Sequence, residues 1–163
     1  MRRTLAALSC VLPLAAFAAA PAPPPGGLQA PEAVVRAFNA DLSGRRLDSA
    51  IAAMAPGAVS FNIGSAHGFS TTPAAEPLTS DLAIHWRTVA PVLYGASKRY
   101  ERRVEQASTQ MEGALAVVWA RLRTTTERKD GTTTTLEFSE TYLLKLERDR
   151  WRIIGVASAR PTR

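Results

Sequence analysis

Residues 114–158 read ALAVVWARLRTTTERKDGTTTTLEFSETYLLKLERDRWRIIGVAS. Three β-rich runs stand here, Ala114 to Thr126, Thr132 to Leu146 and Trp151 to Ser158. Lys129-Asp130-Gly131 is a hairpin turn signal, and Glu147 to Arg150 marks a second tight turn. In the middle run Leu136, Phe138, Tyr142, Leu144 and Leu146 recur at every second position. That period places them on one buried face of a strand. The pattern predicts an antiparallel meander.

Working backwards, Gln110 to Gly113 turns out of a polar, partly exposed strand over Lys98 to Ser108. A helix is expected over Leu78 to Tyr94, where Leu78, Leu82, Trp86, Val89 and Leu93 form an apolar stripe. Thr79 or Ser80 would cap it, and Pro91 predicts a kink or early end. Gly64 to Pro77 has no periodicity and reads as a long loop of the binding or lid type. Ala58 to Ile63 reads as a short strand. Pro31 to Leu42 is a helix with proline at its first position and Glu32 in its first turn. Val34, Val35, Phe38 and Leu42 line one face, and Ser43-Gly44 ends it. A shorter helix, Leu47 to Met54, stops at Pro56-Gly57. The expectation is an α+β domain with three N-terminal helices packed on a curved antiparallel sheet.

The chain has 163 residues, room for one domain. Residues 1–18 read as a cleavable export signal: Arg2 and Arg3, an apolar run from Leu5 to Phe17, then Ala16-Phe17-Ala18. Residues 19–30, rich in Pro, Ala and Gly, form a flexible linker, and the domain covers 31–160. The expected location is periplasmic or secreted, with no membrane span after cleavage. Cys10 falls within the signal, so the exported domain has no thiol and no disulfide. The formal charge of +6 includes Arg2 and Arg3, which leaves 18 bases against 14 acids, or +4. The bases are interleaved with acids, as in Arg99, Glu101, Arg102, Arg103, Glu105, which argues against nucleic acid as partner.

The order of elements resembles the nuclear transport factor 2-like superfamily, in particular its SnoaL-like branch. Two stretches carry the likeness. One is Ala33 to Phe61, with Ala55-Pro56-Gly57 leading into the strand. The other is Met111 to Ala159, with Thr141-Tyr142-Leu143-Leu144 running on into Arg150-Trp151-Arg152-Ile153-Ile154. The resemblance implies a cone whose bent sheet and helices enclose a cavity. Its members include isomerases, dehydratases and binding modules, and many are dimers. Many members have an acid where Gly57 stands, and a histidine then a serine where Ala157 and Ala159 stand. Fold alone therefore leaves function open.

Two residues invite a chemical reading. His85 falls on the apolar side of its predicted helix, between Leu78, Val89 and Val92, with Asp81 one turn earlier. An Asp-oriented histidine can act as general base; the plainer reading is a partly buried histidine with an ordinary hydrogen-bond partner. Glu140 is a single carboxylate among apolar residues on its strand face, so it needs a partner or a raised pKa. Arg121 and Arg123 on the neighbouring strand are the natural counterions. Glu140 is then a cavity acid or half of a structural ion pair. Trp86, Val89, Trp119, Arg121, Phe138 and Tyr142 are the expected pocket lining, though such aromatics also serve as plain core. His67 and His85 lack metal-ligand spacing, and no glycine loop for phosphate is present, so no metal and no cofactor is expected.

The functional expectation is a non-catalytic module that binds a small, partly apolar molecule or a partner protein. The alternatives are a cofactor-free lyase or isomerase, and a structural homodimer with a filled cavity.

Overall fold

The computed structural model describes residues 29–62 and 79–158. The expected export signal, most of the expected linker, the expected loop Gly64 to Pro77 with His67, and Ala159 onward lie outside the described residues. The chain runs α1 (Pro31–Ser43), α2 (Leu47–Ala52), β1 (Met54–Asn62), β2 (Thr79–Asp81), α3 (Leu82–Ala96), β3 (Ser97–Glu112), β4 (Leu115–Arg128), β5 (Thr133–Glu147) and β6 (Arg150–Ser158). It is α+β, with the helices against one open, curved sheet. Only two helices precede the first strand; the third follows β2.

The sheet order is β2-β1-β6-β5-β4-β3. The three hairpin-linked pairs from β3 to β6 are antiparallel, as the turn signals predict. The sheet is not antiparallel throughout, because β1 lies parallel to β6. That pairing is non-local, and no periodicity within one segment encodes it.

Pro31 opens α1, and Glu32 pairs with Arg36 one turn on at 2.7 Å. Its buried face holds Val34, Val35, Phe38, Asn39 and Leu42. Full burial of a Phe or Leu side chain contributes about 1.5–3 kcal/mol. The turn after α1 places Arg45, not Gly44, at positive φ (59°). The Arg45 guanidinium is held by the carbonyls of Ser97 and Lys98, at 2.9 and 3.2 Å, and lies over the Tyr94 ring.

Helix α2 is shorter than the sequence suggests, and Met54 already belongs to β1. Pro56 and Gly57 are inside that strand rather than ahead of it. The register on β6 shifts between Met54 and Val59, and Gly57 has φ of 74° there. Both residue types suit a bulge, which absorbs a residue the ladder cannot pair.

Helix α3 starts at Leu82, four residues later than expected, because Thr79–Asp81 pairs with β1 as a short strand. The cap is Asp81, whose carboxylate accepts from the Ile84 N–H at 2.8 Å. Pro91 does not end the helix, which continues to Ala96. Its buried stripe is Leu82, Trp86 and Ala90, while Ile84, Val89 and Val92 are exposed.

Candidate functional site

The concave side of the sheet carries a buried polar cluster. Its position follows from strand alternation, which sends every second side chain to the same face. On β4, Ala116, Val118, Ala120, Leu122 and Thr124 face inward. On β5, Phe138, Glu140, Tyr142 and Leu144 share that face. On β3, Tyr100, Arg102 and Val104 do the same before a register shift between Val104 and Gln106. Helix α1 covers this surface and adds Asn39.

Arg102 is the hub. Its Nη2 donates to the Glu140 carboxylate and, at 3.5 Å, to the Tyr142 hydroxyl. Its Nε donates to Asn39 Oδ1. The Tyr142 hydroxyl donates to Glu140 Oε2 at 2.5 Å, and Asn39 Nδ2 donates to that hydroxyl at 3.0 Å and to the Val35 carbonyl at 2.8 Å. The guanidinium lies over two rings, 5.5 Å from the Trp86 centroid and 5.4 Å from that of Phe138. Phe38 meets Trp86 and Tyr142 edge to face. An ion pair this deep is tolerated because Nε and Nη2 of Arg102 find acceptors; Nη1 is buried without one, and the two aromatic faces against the guanidinium offset part of that cost.

Electrostatics follow from that packing. Burial pulls the Arg102 pKa down, but the neighbouring Glu140, Tyr142 and Tyr100 outweigh it and carry the pKa well above its ordinary value. Burial pushes the Tyr142 phenol well up, the Glu140 charge adds to this, and Arg102 opposes it. Arg102 thus stays a cation and Tyr142 a neutral phenol across the working range. The Glu140 carboxylate accepts from both.

The structure brings together Glu140, Tyr142, Phe138 and Trp86 from the expected set. Glu140 pairs with Arg102 rather than with Arg121 or Arg123. Those two point to the other face, where both pair with Glu137 at 3.0 and 2.7 Å. Trp119 is on that outer face too, 41% exposed. Its register neighbours there are Ser108 and Thr141. Val89 is exposed on the outer side of α3. His85 is half-buried and meets Trp86 edge to face, at 5.7 Å between ring centroids. Asp81 spends its carboxylate on the helix cap.

Sequence reasoning missed Arg102 and Asn39. Arg102 stands two residues from both Tyr100 and Val104, and that spacing was the available signal. Asn39 falls within the apolar stripe of α1. Among the described residues no cluster of three or more His, Cys, Asp or Glu could hold a metal ion, and no helix is long and apolar enough to cross a membrane.

The outer face of the sheet is different in character. Register aligns Phe61, Ala157, Thr141, Trp119 and Ser108 in one row across five strands. The next row is Val59, Gly155, Leu143, Val117 and Gln110. Phe61 and Leu115 are 42% and 44% exposed. A Cβ on Gly155 would stand 3.4 Å from the Phe61 ring, so the missing side chain lets that ring lie across the strand.

No family model and no curated protein sequence matches the chain. Solved structures do. A nuclear transport factor 2-like superfamily protein from Salmonella enterica serovar Typhimurium aligns over 80% of this chain and 87% of its own, with 12% identity and a TM-score of 0.60. A ketosteroid isomerase-like protein from Erwinia carotovora atroseptica aligns over 81% and 94%, with 14% identity and a TM-score of 0.59. A protein of unknown function from Pseudomonas putida aligns over 81% and 84%, with 15% identity and a TM-score of 0.61. At these identities the likeness is one of fold.

Proposed function

On a nuclear transport factor 2-like fold, we propose that this chain works as an exported, non-catalytic assembly module, which pairs with a second copy through the outer face of its sheet. The reading of residues 1–18 as an export signal supports the first part. The observation that carries the second is the row Phe61, Ala157, Thr141, Trp119. Two large exposed rings flank a floor of small residues, deepened by Gly155 alongside. A two-fold axis over that floor sets the ridge of one copy into the trough of the other, the self-complementarity an isologous contact requires. Exposed aromatic and aliphatic groups gathered on one face mark an interaction surface.

The interior supports the same reading. Phe38, Trp86, Arg102 and Tyr142 pack ring on ring over the concave face, and Glu140 is engaged by two donors. That arrangement serves stability better than proton transfer. We place the chain in the SnoaL-like branch on its Trp151-Arg152-Ile153-Ile154 strand.

Sedimentation of the chain from Ala19 onward tests the proposal. The expected result is a dimer at micromolar concentration, and a monomer of unchanged circular dichroism for Trp119→Glu. A monomeric parent protein, or a variant that still dimerises, overturns it.

A further inference from the structure

The β5–β6 hairpin ends in an open groove of about 820 Å³ lined by Lys145, Leu146, Glu147, Arg148, Arg150 and Arg152. Register sets Lys145 directly beside Arg152, and Glu147 beside Arg150. Two like charges opposite one another on a sheet are a destabilising choice. Lys145 is relieved by Glu147 at 3.2 Å, and Arg152 by the carbonyls of Ala52 and Met54. Arg148 and Arg150 have no carboxylate partner among the described residues, and both are exposed. On β3 and β4 of the same sheet several exposed arginines are neutralised in place: Arg99 and Arg103 by Glu101, Arg121 and Arg123 by Glu137. At this corner two unpaired arginines instead stand two residues apart beside Lys145 and Arg152.

We propose that this groove docks an extended acidic segment of a partner protein. Three of its four bases are arginines, whose planar forks meet a carboxylate with two parallel hydrogen bonds. The aliphatic arginine stems offer an apolar floor between the charges. The embedded Lys145–Glu147 pair lowers the charge density, which favours a peptide with spaced acids over a densely phosphorylated surface. The groove lies at the end of the outer face, beyond Leu115, which pairs with Lys145. It is separate from the row that carries Trp119.

The test is fluorescence anisotropy with a labelled peptide of roughly ten residues alternating Glu and Leu. The chain from Ala19 onward is expected to bind it, with affinity falling as salt rises. R148E/R150E is expected to weaken binding at least about tenfold. R87E/K129E, with the same change in net charge on unpaired surface residues elsewhere, is expected to bind as the parent does. Circular dichroism confirms that each variant is folded. No binding by the parent, equal loss in both variants, or binding to phosphatidylglycerol vesicles without binding to the peptide each overturns the proposal. Trp119→Glu is expected to keep the peptide affinity, so a failure of the dimer reading does not register here.

Discussion

Arg102 and Glu140 meet across an intervening strand in an ion pair whose side chains are 1% and 3% exposed. Their approach fixes the spacing of β3, β4 and β5 on the concave side. It also determines what happens when one partner is lost.

Glu140→Gln leaves a guanidinium in the interior without its counter-charge. The expected loss is about 3–5 kcal/mol of unfolding free energy, measured by urea titration at neutral pH. R102M/E140L removes both charges and keeps similar volume, so it is expected to recover most of that loss. A double variant as unstable as the single one shows that the pair itself holds the fold.

Stability is expected to fall on the alkaline side. Burial raises the Tyr142 pKa, and the Glu140 charge adds to the rise. The folded state therefore holds the phenolic proton more tightly than the unfolded chain does. The stabilisation is complete below the ordinary tyrosine value of about 10 and is lost as pH rises beyond it toward the folded value. Tyr142→Phe is expected to flatten this alkaline limb. A smaller slope remains from Tyr94, whose pKa is raised by burial and by Tyr100. Denaturant midpoints collected between neutral and strongly alkaline pH decide it.

Arg148 and Asp149 form the turn of the last hairpin with φ of 47° and 63°. Both sit in the left-handed region, where the Cβ of an ordinary residue crowds the following carbonyl. Asp149→Gly is expected to raise stability by about 1 kcal/mol, seen as a higher thermal midpoint. An unchanged or lower midpoint means that the Asp149 side chain contributes something its backbone conformation costs.

Much of the fold was legible in the sequence because its signals are local. Period two in β4 and β5, turn residues at 129–131, and the i, i+4 stripe of α1 each sit within one segment. The misreadings have specific causes. Pro56-Gly57 looks like a terminator but occupies a bulge in β1. Asp81 looks like a partner for His85 but caps α3. The parallel union of β1 with β6 joins segments about ninety residues apart, beyond the reach of any pattern within one window.

The candidate site was half legible. Glu140 stands out as one acid in an apolar alternation, and that alone demands a partner. The choice of Arg121 and Arg123 failed on parity: the residue opposite Glu140 is Ala120, so the flanking Arg121 faces the other way. The true partner comes from β3, one strand further, because an arginine side chain is long enough to reach along and across the sheet. Its strand looked exposed because nine of its sixteen residues are charged or amide-bearing.

The β6 strand lies between the β3–β5 meander and the β1–β2 edge, and it is the last strand of the described chain to be synthesised. Neither flank can zip to the other without it. Both flanks must therefore have left the ribosome, and β6 after them, before the sheet can close into one piece.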